Sequence, residues 1–446
     1  MARDSMLRWN LSSWLRHPLP AHPLPVPAAL ERRIHLYSEE ELPARWNSAV
    51  DGPVLMRHGV YLKGERIFHD LLRASAAVTA RRSDARFFFA PLYVGQLASS
   101  STDGRRSMRV EETGAALAAL AATKDAVWPS RARDHIFANA VDRGRCFQDD
   151  GLDRFLDAAL LMYEGTARYP PSPGASSHKP PPPFPCHRED VDIVIPPIVD
   201  VGAHTARRYP PELTHSADTF PWSFFTHRET LFVWRGSATR TAWAAGAAEA
   251  NVRMALLGAF GSKSASDAAV GANANNNNNN NSDSTGRSAV AMGWSSRLHA
   301  MPSLVSARKV DKDAHYREMR DALFCLAPSG WAQWTVRFFE AVQLGCIPVT
   351  FLSSAQRRPR MPFDSDGLDY ARFSVNIPPG EIRMSLRSRL LAIAENRSAL
   401  RGMQRALWDA RPALDWSNLG RHGPFYRILQ QLDKRSSSLL GRQASV

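Results

Sequence analysis

Apolar residues fall along this chain in short, nearly unbroken runs, separated by stretches with helical spacing. That pattern belongs to a parallel α/β sheet whose strands are covered on both faces. Residues 323–326 form one such run and lead into a Pro328-Ser329-Gly330 turn. A helix is predicted over 335–343, Gly345 stops it, and a second buried strand follows over 347–352. This strand–loop–helix–strand unit is the building block of doubly wound folds. Elsewhere the spacing predicts a helix over 61–76 with Ile67, Leu71 and Leu72 inward, then a buried strand over 85–93. An Ala-rich helix is expected over 111–125, strands over 192–197 and 231–237, and two terminal helices over 385–395 and 398–409. Between these elements lie a polar loop at 98–109 and a segment at 169–185 with eight prolines in seventeen residues. A low-complexity stretch at 262–290 holds the asparagine tract 275–281 and is expected to be disordered.

The loop of the unit is where such sheets bind phosphates, because the amides of the following helix face it. Ser329 and Gly330 are therefore candidate phosphate contacts. Arg337 and Glu340 lie three apart, on one face and near the start of the helix. An arginine there suits phosphate, and a carboxylate suits ribose or sugar hydroxyls.

The segment reads F-C-L-x-P-x-G, then T-x-R-x-x-E-A, then G-C-I-P-V, from Phe324 to Val349. It resembles the exostosin family of glycosyltransferases. The resemblance extends over about 55–410. Glu65, His69, Pro91 and Tyr93 fit the family's helix and strand in the first half. Arg133-Asp134-His135-Ile136-Phe137 is similar to its G-R-D-H-x-F run, with Ala132 in place of the glycine, and Asp142, Gly144 and Cys146 follow.

The resemblance implies two Rossmann-like domains facing a cleft, the GT-B arrangement. On that basis residues 1–50 form a poorly ordered extension, 51–205 an acceptor domain with the insertion 169–185, 226–385 a nucleotide-sugar domain with the insertion 262–290, and 386–446 helices and a tail. It also implies a sugar transferase that uses a nucleotide-diphosphate donor, a UDP-sugar above all, as co-substrate. No metal or other cofactor is called for. Arg240, Arg337 and the Ser329-Gly330 turn would meet the charge on the leaving diphosphate. Asp134 and His135 are the candidates for a general base, placed at the inter-domain cleft. Cys325 ends one strand and Cys346 precedes the next. Neighbouring strands lie about 4.8 Å apart, so the pair is either a disulfide or two buried thiols. The resemblance implies the disulfide.

Charge and composition narrow the alternatives. Fifty-six basic against 43 acidic residues give a net charge of +13, which favours anionic partners. No run of five basic residues and no nucleic-acid signature occurs, so nucleic acid is not an expected partner. A dinucleotide enzyme would need G-x-G-x-x-G with an acidic residue about 20 positions on, and none is present. Four cysteines without ligand spacing argue against zinc. Three Asp-x-Asp pairs, Asp190/Asp192, Asp311/Asp313 and Asp364/Asp366, are no more than a chain rich in aspartate would show. No run of 18 apolar residues is present, although family members are membrane-anchored in the Golgi. The Golgi is the expected compartment, with membrane association or a complex with other transferases. The remaining alternative is an inactive relative that binds glycan or a partner transferase; both Arg337 and Glu340 are kept, as a working enzyme requires.

Overall fold

Strands that read as unbroken apolar runs must be covered on both faces, and the chain does this with two separate parallel sheets. The computed structural model describes residues 23–38, 41, 60–92, 114–115, 117–122, 126–140, 157–163, 165, 185–199, 201, 225, 228–236, 247–261, 293–308, 310–329, 333–352 and 358–443. The expectations for 98–109, for both ends of 111–125, for 169–184, for 262–290, and for Tyr93, Asp142, Gly144, Cys146, Arg240 and Gly330 lie outside these residues.

The first sheet is built from β1 (Ile34–Leu36), α1 (Val60–Arg73), β2 (Val78–Thr79), β3 (Phe87–Phe89), β4 (His135–Asn139), β5 (Ala159–Met162) and β6 (Ile193–Val194). Its strand order is β2-β1-β3-β4-β5-β6, all parallel. Ile67, Phe68, Leu71 and Leu72 of α1 are almost wholly buried, as the helical spacing requires. One boundary moves: β1 lies within 1–50, the stretch read as an extension, and pairs with both β2 and β3. Three residues preceded by Arg32 and Arg33 make a weak signal, and their neighbours in the sheet stabilise them.

The second sheet is built from β7 (Thr230–Arg235), α2 (Ala247–Phe260), α3 (Trp294–Ala300), β8 (Ser303–Ser306), α4 (Lys312–Arg320), β9 (Ala322–Leu326), α5 (Val336–Gln343), β10 (Ile347–Thr350) and β11 (Val375–Asn376). Its order is β11-β10-β9-β7-β8, again all parallel. The chain order reverses between β7 and β9, so a crevice opens beyond their carboxyl ends. Gly345, at φ 68°, ends α5 in the left-handed conformation that glycine adopts without cost.

Three helices complete the chain: α6 (Ile382–Glu395), α7 (Arg397–Ala410) and α8 (Pro424–Gln443). The sequence pattern foresaw two; α8 is an addition. It packs back on the first sheet, with Phe425 5.7 Å from Phe68 and Asp433 paired to Arg86 at 3.3 Å. Between the sheets, Tyr163 beyond β5 meets Trp334 before α5 at 5.3 Å. The Arg360 amide donates to the Gly165 carbonyl at 3.2 Å.

Candidate functional site

The loop leaving β9 is shaped by hydrogen bonds of its own, from α2 and at the cap of α5. Ser329 is 7% exposed. Its hydroxyl donates to the Gln333 carbonyl at 3.4 Å, and its own carbonyl accepts from Arg253 of α2 at 2.8 Å. Thr335 caps α5 by accepting from the Arg337 amide at 3.4 Å. The first turn of α5 therefore starts at the carboxyl edge of the sheet, with Arg337 and Glu340 half-buried beside the crevice.

Arg337 and Glu340 do not pair with each other; each is held by α4. Because α4 ends where β9 begins, its first turns lie level with the carboxyl end of β9. A guanidinium nitrogen of Arg337 lies 3.0 Å from Nε2 of His315, and the Tyr316 hydroxyl donates to Glu340 at 3.1 Å. Arginine offers only donors, so Nε2 accepts and His315 is neutral with its proton on Nδ1. Burial, with Arg337 and Arg235 beside it, lowers the His315 pKa to about 3. Burial raises the Glu340 pKa, while Arg337, the Tyr316 hydroxyl and Lys312 act the other way. Arg235, at the end of β7, binds Glu318 of α4 through two bonds of 2.8 and 2.6 Å. Asp311 caps α4 by accepting from Ala314 at 2.7 Å.

His315, Tyr316, Glu318 and Arg235 were not singled out from the sequence. A signal for them existed. A helix running directly into β9 must present its first turn at the same edge as the first turn of α5.

Beside the loop, a cavity of about 290 Å³ opens at the carboxyl ends of β9, β10 and β11, where Ser329, Thr335, Phe338, Arg358, Tyr370 and Asn376 line it. Its wall at 358–361 continues into Arg360, which is tied to Gly165 of the first half.

The structure does not bring Asp134 and His135 to this place. Expected at the cleft, they lie at the start of β4, on the amino side of the first sheet. His135 is 0% exposed. Its Nδ1 donates to the Arg131 carbonyl at 2.8 Å, and Nε2 accepts from Tyr37 at 3.0 Å. Phe88 and Trp128 enclose the ring, each at 5.1 Å, and burial lowers its pKa to about 4. An imidazole so enclosed cannot reach an acceptor hydroxyl. Asp134 pairs with Arg131 at 2.6 Å, in a groove lined by Arg33, Arg86 and Asp157.

Each Asp-x-Asp pair has at least one member with a structural partner, Asp311 through its cap of α4. Asp192 accepts from the Leu160 and Arg188 amides, Asp364 from Met361, and Asp366 from Gln431 and Lys434. Cys325 and Cys346 form a disulfide with Cα atoms 5.7 Å apart, and Cys186 is disulfide-bonded as well.

The family model described as the exostosin GT47 domain matches residues 30–392. A protein of Oryza sativa subsp. japonica named as a probable glucuronosyltransferase is 27% identical over 437 residues, covering 93% of this chain and 82% of that protein. A probable β-1,4-xylosyltransferase of Arabidopsis thaliana, IRX10, is 57% identical over 35 residues, 8% of either chain. Among solved structures, an OtsA apo structure aligns over 83% of this chain and 77% of that one, at 11% identity and a TM-score of 0.28.

Proposed function

The chain belongs to the exostosin GT47 family of glycosyltransferases, and from that premise we propose that it moves a sugar from a UDP-sugar to a polysaccharide or glycoprotein acceptor. The observation that carries this reading is Arg337 and Glu340 on α5, held from α4, over the loop that leaves β9 at the switch point. The guanidinium of Arg337 is a planar, permanently charged fork that matches a diphosphate. With the amides of the first turn of α5 and the Ser329 loop, it meets the charge that grows on the leaving diphosphate. Glu340 accepts hydrogen bonds from ribose or sugar hydroxyls. The cavity beside Thr335 gives the donor's sugar a place to lie, facing the segment that is tied to the first half.

The names of the relatives favour a glucuronosyl or xylosyl donor. These steps draw on side chains and backbone dipoles, so activity is expected to persist in EDTA. The disulfides suit an oxidising lumen, which fits the Golgi, with the protein at the membrane or in a complex with other transferases.

Incubation with a panel of UDP- and GDP-sugars, reading free nucleotide, tests the proposal. Hydrolysis of a UDP-sugar, retained in EDTA, is expected. No release from any donor, with or without oligosaccharide acceptors, contradicts it.

A further inference from the structure

Arg337 and Glu340 are held by two consecutive residues of one helix, and this carries an inference that deepens the donor-site reading and rests on it. We propose that His315 and Tyr316 are the positioning residues of the donor site, with His315 fixing the guanidinium of Arg337 and Tyr316 the carboxylate of Glu340.

An arginine side chain on a helix surface has several rotatable bonds, and ordering it on a ligand costs conformational entropy. Here one N–H is already bound to His315 at 3.0 Å. Among the described residues the guanidinium has no other protein hydrogen-bond partner. The contact also needs a neutral imidazole, since a protonated one would offer no acceptor and would repel Arg337. His315 meets that need: its environment keeps it uncharged, and its buried Nδ1 has no partner competing for the ring's orientation. Tyr316 is buried, with its ring fixed in the core under the disulfide, so its hydroxyl is a rigid donor to Glu340. Neither residue needs to touch the donor. Their effect is preorganisation, which raises affinity by lowering the cost of ordering.

The test is calorimetric titration of UDP, with GDP as a second probe, into the full chain and its variants. His315→Leu removes the acceptor at similar volume and should weaken UDP binding by about tenfold, as loss of a hydrogen bond to a charged group does. His315→Gln restores an acceptor at comparable reach and should recover affinity to within about threefold of wild type. In an Arg337→Ala background, His315→Leu should have no further effect, since its role runs through Arg337. If His315→Leu does not fold, His315→Asn, too short to reach Arg337, replaces it. UDP binding weakened in Arg337→Ala but unchanged in the His315 variants overturns this inference alone, as does an undiminished effect in the Arg337→Ala background. No nucleotide binding by the wild-type chain overturns the donor-site reading and this inference with it.

Discussion

At the scale of single residues, Arg337 and Glu340 are each held by one side chain of α4, His315 and Tyr316. Arg337 and Glu340 share a helix face, and their spacing is visible in the sequence. Their partners sit 22 and 24 positions earlier, on the preceding helix, and only the fold reveals them. His135 shows the opposite outcome. Its flanks suggested a catalytic place, but Tyr37 and Phe88 converge on it from distant parts of the chain, and Trp128 closes on it from the turn just before β4. Burial has a measurable consequence for three enclosed histidines. His69 is lowered to about 3, and His135 and His187 to about 4, burial being the largest cause in each. The unfolded value is near 6.5. Each therefore takes up a proton on unfolding below that pH, so the stability it contributes is complete above about pH 6.5 and is lost as pH falls toward 4. The slope is about 1.4 kcal/mol per pH unit for each histidine. Urea unfolding between pH 7 and 5 should show the fall, and His135→Gln should make it shallower by about one such increment. An unchanged slope would contradict the burial of His135.

At the scale of elements, the β9–α5–β10 unit was readable almost whole. Its strands are contiguous apolar runs, its stop is a glycine, and its cap is a threonine. β1 was not readable, because three residues in mid-sheet draw their stability from β2 and β3. The alternation that marks a longer strand has no room to appear. α8 lies beyond the terminal helices that the pattern marked, and its proline at the first position is a start signal that went unread. The disulfide fastens the unit, joining Cys325 near the end of β9 to Cys346, the residue before β10, across a separation of 21. Closing a loop of that size should stabilise the fold by about 3 kcal/mol. A Cys325→Ala/Cys346→Ala variant, compared with the wild type by chemical denaturation, should lose about that amount. A loss below about 1 kcal/mol would mean that the strands hold their register without the bridge.

At the scale of the whole molecule, the run-and-helix pattern predicts a parallel α/β sheet, the family resemblance implies two such domains, and two parallel sheets are present. The contacts that join them were not foreseen, because each pairs residues far apart in the chain: Tyr163 with Trp334, Arg360 with Gly165, and Phe425 with Phe68. Phe425 is 1% exposed, and Phe425→Ala should cost about 3 kcal/mol through the cavity it leaves. Thermal unfolding of that variant reads the loss, and a melting temperature equal to wild type would count against the docking of α8. We propose that catalysis turns on Arg337, whose fork would meet the leaving diphosphate at the switch point of the second sheet. Arg337→Lys keeps the charge and loses the fork. The most direct measurement is the rate of donor hydrolysis or transfer by this variant and by wild type, alongside their melting temperatures. A fall of about two to three decades, or about 3–4 kcal/mol of transition-state stabilisation, is expected, with the melting temperature unchanged. Near-wild-type turnover by Arg337→Lys would contradict it.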